Sequence, residues 1–165
     1  MIREAQREDA QDVAALWNVM IRETLYTFTT EEKRKSEVAS LIAQRPKAFW
    51  VASQAGRISG FVTFGDFRSG PGYKHTVEHS ILVEPTAVGT GLAHDLMACA
   101  EAGASKLGAH AMIGAISSVN ARALRFHKRR GFSQVGRLPE VGRKDNRWLD
   151  LVLVQKILSA PAHSR

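Results

Sequence analysis

Apolar residues recur at three- and four-residue spacing after Asp9. Val13, Leu16, Trp17, Met20, Ile21 and Leu25 make one stripe, which predicts an amphipathic helix with Asp9 as its cap. Tyr26-Thr27-Phe28 breaks the period. Thr29 and Glu32 have the spacing of a capping box, so a second helix is expected there, with Val38, Leu41 and Ile42 inward and Pro46 beyond its end. The pattern then changes to strands. Phe49–Ala52 and Ile58–Phe67 flank a turn at Gly56 and read as a hairpin, and Thr76–Val83 is a further strand closed by Pro85.

A glycine turn, Gly89-Thr90-Gly91, leads into a predicted helix from Leu92 to about Leu107. Ala111–Ile116 reads as a strand and Ala121–Arg130 as a helix, ended at Gly131 by a left-handed cap. A strand near Phe132–Val135, a charged loop and a last strand from Trp148 to Gln155 complete the chain, with 159–165 as a frayed tail. The order is strand, two helices, three strands, helix, strand, helix, two strands. That is an α+β chain with helices on both faces of a mixed sheet, and residues 1–158 form a single domain.

Composition narrows the function classes. The only cysteine, Cys99, excludes an intramolecular disulfide and suits a reducing compartment; it lies in an apolar run and is expected in the core. Charged residues stand where a secretory signal would need an apolar stretch, and no apolar run reaches membrane-span length, so a cytoplasmic protein is expected. The net charge of +7 attracts anions without naming one. Its dense stretches, His127-Lys128-Arg129-Arg130 and Arg143-Lys144, lack the aromatic interleaving of a nucleic-acid surface. An anionic, nucleotide-containing cofactor would profit from the same field.

The strongest local feature is the strand ending at Val83 followed by Val88-Gly89-Thr90-Gly91-Leu92-Ala93 and a helix. Such a turn gathers backbone N–H groups at a helix N-terminus, where a pyrophosphate can bind and where a side chain would obstruct it. Taken alone, such a turn is as readily a plain strand-to-helix connection as a ligand site. A Walker loop would need Gly-Lys-Ser/Thr, and a dinucleotide fold would need a glycine where His94 stands and an acidic residue where Ser117-Ser118 closes the next strand. Neither rival fits. His75 and His79 would share one strand face and Glu78 the other, so these three make no metal site and none is expected.

With those residues in view, the chain resembles the GNAT superfamily of N-acetyltransferases over nearly its whole length. The superfamily cradle reads Arg/Gln-x-x-Gly-x-Gly/Ala, and Val88 departs from its first position. Three further stretches are similar to the phosphinothricin and methionine sulfoximine acetyltransferase branch: Phe67-Arg68 with Tyr73 to Ser80, Asn120 through His127 to Phe132, and Val141 to Asp150. The resemblance implies αβα layers around a mostly antiparallel twisted sheet, splayed where acetyl-CoA binds, and a homodimer. It implies acetyl transfer to the primary amine of a small amino-acid-like acceptor. Other acceptors (a protein N-terminus, a polyamine, an aminoglycoside) or a non-catalytic coenzyme-binding module stay open.

Aminolysis of a thioester requires a deprotonated amine held in line with the acyl carbon. Glu78, on the strand entering the cradle, is the candidate base; the alternative is a solvated carboxylate paired with His75 or Lys74. The resemblance places His127 as proton donor to the leaving thiolate, against a plain helix-surface histidine. It gives the coenzyme Leu82, Val83, Val88, Gly89, Thr90, Gly91, Leu92, Ala93 and Asn120, the last also an ordinary helix cap. It gives the acceptor Phe28, Arg68, Tyr73, Thr76 and Trp148, with Arg68 suited to an anionic oxygen pair.

Overall fold

The computed structural model describes residues 1–158, so the expectation for the tail 159–165 lies outside the described residues. The elements follow the predicted order: β1 (Ile2–Glu4), α1 (Ala10–Glu23), α2 (Lys35–Gln44), β2 (Phe49–Gln54), β3 (Arg57–Asp66), β4 (Thr76–Val83), α3 (Leu92–Lys106), β5 (Ala111–Ser117), α4 (Ala121–Arg129), β6 (Ser133–Lys144) and β7 (Arg147–Ile157). They build one seven-stranded sheet in the order β1-β2-β3-β4-β5-β7-β6, antiparallel except where β4 meets β5.

Strand alternation sends each face of the sheet to a different helix pair. On one face Val13, Ala14, Val38 and Ile42 of α1 and α2 pack on Phe49, Val51, Phe61 and Leu82. On the other, Leu96, Met97, Ala100 and Ala104 of α3 pack on Val62, Phe64, Val77 and Met112. The predicted inner faces of α1 and α2 are therefore the observed ones, except that Leu25 lies beyond the end of α1. Cys99 is only half-buried, off the core side of α3, and partial burial pushes its thiol up.

Three expectations change. Asp9 does not cap α1 with its side chain; it accepts from the Gln6 N–H at 2.7 Å and takes a two-pronged ion pair from Arg3 at 2.7 and 2.8 Å, tying β1 to the turn before the helix. The second helix begins at Lys35, not after Thr29. Asn18 holds both backbone groups of Lys33, accepting its N–H at 2.7 Å and donating to its carbonyl at 2.9 Å, so that carbonyl is not free to start a helix. Glu37 then caps from within, accepting the Arg34 N–H at 2.8 Å.

The third change is the charged loop after Val135, which is a strand. β6 pairs with β7 through a turn whose Asp145 and Asn146 both have positive φ, +50° and +59°, as a two-residue hairpin requires. A register shift between Leu138 and Gly142 accommodates the bulge at Glu140, whose N–H is accepted by Asp150 at 2.9 Å. As the outermost strand, β6 has little to bury, which is why its sequence shows no alternation.

Candidate active site

The sheet divides at the one parallel contact among the described residues. β4 and β5 are paired from Thr76↔Ala111 to His79↔Gly114; beyond that, Ser80–Val83 and Ala115–Ser117 continue unpaired with one another. A cavity of about 160 Å³ fills the wedge, walled by Ser80, Ile81, Leu82, Ala115, Ile116 and Ser117 and closed from above by Trp17, Met20, Tyr26 and Thr27. It opens into a cleft of about 530 Å³ that runs past Val83 to the glycine turn and along α4.

Gly89 and Gly91 adopt φ of +82° and +89°, and Gly91 is the left-handed residue at which α3 begins. An added Cβ would meet nothing at either position, so within the chain itself glycine is required by conformation, not by crowding. Leu82, Val83, Val88, Gly89, Gly91, Ala93 and Asn120 all line the cleft. Thr90 and Leu92 do not present side chains to it. The Thr90 hydroxyl donates back to the Ala87 carbonyl at 2.6 Å, and Leu92 packs against the α3 core. Asn120 caps α4, accepting the Ala123 N–H at 3.1 Å.

The opposite wall adds Arg122 and Arg125, which the sequence reading passed over, to Arg129 of the basic stretch it noted. Arg122, Arg125 and Arg129 line the cleft from α4, and among the described residues none of the three is in a salt bridge. Their three-and-four spacing was a legible signal for one helix face. They supply positive charge to the cleft in which Val88 stands in place of a basic or amide side chain.

Glu78 sits on the β4 face shared by Ser80 and Leu82, beside Gly65 of β3. It lies two residues before the wedge and does not itself line the cavity. Its side chain is exposed, as the solvated-face alternative expects, yet partial desolvation by the surrounding atoms pushes its carboxyl up, against the pull of Arg45. Arg45 was not foreseen. It lies across Gly65 and reaches Thr63 Oγ1 at 3.2 Å. The expected alternative partner His75 instead hydrogen-bonds the Gly108 carbonyl at 2.8 Å.

His127 is not on the helix surface. It is buried and lines both spaces, with Nδ1 at 2.7 Å from the Ala123 carbonyl and Nε2 at 2.8 Å from Nε2 of His79.

The expected acceptor residues are not gathered in this way. Arg68 lies over the Phe67 ring at 5.6 Å and Tyr73 meets the same ring edge-on at 6.2 Å, both exposed in the loop before β4. Trp148 is exposed under Arg143 at 4.4 Å. Thr76 opens β4, and Phe28 packs on Gly142, where a Cβ would run into its ring. None of these five lines the cavity or the cleft. What orders this side is Lys144, 5% exposed, whose Nζ donates to the carbonyls of Ile21, Thr24 and Thr27 at 2.7, 2.9 and 3.0 Å. These carbonyls lie at and just beyond the C-terminal end of α1, where a cation is favoured.

Comparison with known proteins agrees with this geometry. The family described as "Acetyltransferase (GNAT) family" matches residues 13–132. L-methionine sulfoximine/L-methionine sulfone acetyltransferase of Salmonella typhimurium is 40% identical over 105 residues, which is 64% of this chain and 61% of that protein. Phosphinothricin N-acetyltransferase of Streptomyces coelicolor is 32% identical over 163 residues, 95% of either chain. The structure of YncA from Salmonella typhimurium with its cofactor acetyl-CoA superposes with a TM-score of 0.92 at 30% identity, covering 100% of this chain and 97% of that one. A seven-stranded sheet that parts at β4 and β5, a left-handed glycine entering α3 and these relatives lead to one conclusion: the chain belongs to the GNAT acetyltransferase family.

Proposed function

We propose that this chain transfers the acetyl group of acetyl-CoA to the primary amine of a small amino-acid-like acceptor, of the phosphinothricin, methionine sulfoximine or methionine sulfone type. The observation that carries this reading is the wedge between β4 and β5, which opens two residues beyond Glu78 and continues to the glycine turn. Its walls suit the cosubstrate. Strand backbone at Leu82 and Val83 can pair with the amides of a pantetheine arm in the manner of an added strand. The glycine turn and the arginines of α4 suit its phosphates. Bound there, acetyl-CoA supplies an activated acyl group as a thioester.

The remaining work belongs to the chain. Glu78, with its carboxyl raised by partial desolvation, is the base that accepts a proton from the acceptor ammonium, directly or through water. Arg45 beside it favours the ionised form, in which a base works. Arg68, exposed in the loop before β4 and outside the cavity, is the side chain we assign to the acceptor's anionic end. The low negative charge around the cleft disfavours polycationic acceptors, in keeping with the net charge of +7.

The test is thiol release from acetyl-CoA against phosphinothricin, methionine sulfoximine, methionine sulfone, spermidine and an aminoglycoside. Turnover confined to the first three is expected. Turnover on the polycations alone overturns the acceptor class, and tight coenzyme binding with no turnover on any amine overturns catalysis. Glu78→Gln should lower turnover and remove the acid limb of the kcat/KM profile; a profile unchanged by that substitution would sink the base.

A further inference from the structure

Two buried histidines meet at the floor of the wedge, and the one on β4 has no part in the reading above. His79 and His127 are 6% and 3% exposed, with ring centroids 5.0 Å apart and planes 28° from parallel. Their surroundings are fitted to them. Gly114 lies under His79, where a Cβ would stand 2.8 Å from Cε1, and the Phe132 ring covers both at 5.4 and 5.2 Å.

The partners assign the protons. The Ala123 carbonyl only accepts, so Nδ1 of His127, at 2.7 Å, carries a hydrogen. Burial holds both rings below the ordinary histidine value, His79 to about 3, so each is neutral at neutral pH and has one N–H. The hydrogen of His127 is committed to Ala123, which leaves its Nε2 as a lone pair. The donor at 2.8 Å is therefore Nε2–H of His79. Nδ1 of His79 is then bare, and it is the ring nitrogen that lacks a hydrogen-bond partner. Two groups pull toward extra protons without overcoming burial. The Ile113 carbonyl acts on His79 without a well-formed bond, and Glu101 acts on His127 while held by Arg130 at 2.8 Å and Lys156 at 2.9 Å.

We propose that His79 is a positioning residue for acyl transfer: by donating to Nε2 of His127 it fixes that ring as the Nδ1–H tautomer and pins α4, with Asn120 and its arginine wall, against β4. This rests on the acetyl-transfer reading but not on Glu78 as the base. It also replaces the expectation that His127 protonates the leaving thiolate, because a neutral imidazole giving up its N–H would become an imidazolate. The balance closes without it. The C–N bond forms, the C–S bond breaks with its electron pair on sulfur, and the proton that neutralises the sulfur is the amine's second one, passed directly or through water.

Nitrogen-15 NMR of the histidine rings in the ligand-free full chain reads the tautomers without turnover. His127 should carry its proton on Nδ1 and His79 on Nε2; a proton on Nε2 of neutral His127 overturns the proposal. Kinetics and coenzyme A titration give the second readout. His79→Ala should raise both the KM for acetyl-CoA and the Kd for coenzyme A roughly tenfold, with a smaller fall in kcat. His79→Gln, which keeps an N–H donor, should recover most of that loss. If His127→Ala instead lowers kcat a hundredfold, moves the basic limb of its pH profile and leaves the coenzyme Kd unchanged, His127 is an acid and the proposal fails. A chain that acetylates no amine would defeat the acetyl-transfer reading, while the NMR and titration would still decide the histidine pair.

Discussion

The two sides of the site are assembled by different means. On the coenzyme side most of the geometry is set by neighbours in sequence, namely strand β4, the turn at Gly89–Gly91, the start of α3, and Asn120 capping its own helix, with the His79–His127 contact the one long-range tie named above. On the acceptor side, the segment after α1 is held by residues far along the chain. Lys144 captures carbonyls at residues 21, 24 and 27, and Gly142 receives Phe28. The first side is built mainly of local backbone preferences; the second depends on a hairpin folding back over a hundred residues later. Damage to one should therefore be separable from damage to the other.

The largest separation is expected from Lys144→Met. It strands three carbonyls that share one buried ammonium, at a cost of about 3 kcal/mol. A urea midpoint should fall accordingly, and the acceptor KM should rise while the affinity for coenzyme A holds. If both affinities fall together, the two sides are one unit. Gly91→Ala is the converse. A side chain at φ of +89° costs roughly 1–2 kcal/mol, placed where α3 begins, so coenzyme A binding should weaken with little change in the acceptor KM.

The smallest effect tests the seam between the two sides. Arg45 lowers the carboxyl of Glu78 while partial desolvation raises it. In Arg45→Met only desolvation remains, so the Glu78 pKa rises further. As the proposed base, Glu78 works ionised, so the acid limb of kcat/KM should then move to higher pH with the basic limb in place. An acid limb that stays put would show that it belongs to another group.

This division also explains what could be read in advance. Element order, both inner helix faces and the glycine turn follow from spacing alone, because each is decided within a few residues. Asn120 as a cap is of the same kind. The start of α2 was misplaced because Thr29 and Glu32 offered a plausible cap, while the decisive contacts came from Asn18, fifteen residues from Lys33. β6 was hidden because an edge strand has little to bury and its bulge is satisfied by Asp150 of the partner strand. His79 was weighed only as a metal ligand; its meeting with His127, 48 residues away, has no trace in local pattern. The acceptor residues fared least well, since Arg68, Tyr73 and Trp148 are exposed side chains whose setting depends on what binds.

The wedge between β4 and β5 is an edge in the interior of a sheet. Edges attract stray strands, and most proteins protect the outermost ones. This one is guarded by its narrowness: a polypeptide entering it would have to bring a side chain at every residue into a space walled by Ile81, Leu82, Ile116 and the rings of Trp17 and His127. A slender arm of amides and methylenes, unbranched along its thiol-bearing end, can occupy the gap where a peptide cannot. The opening thus works as a filter on the backbone of the visitor, independent of any charge it carries. A peptide mimic of the arm should gain entry in proportion to the side chains it gives up.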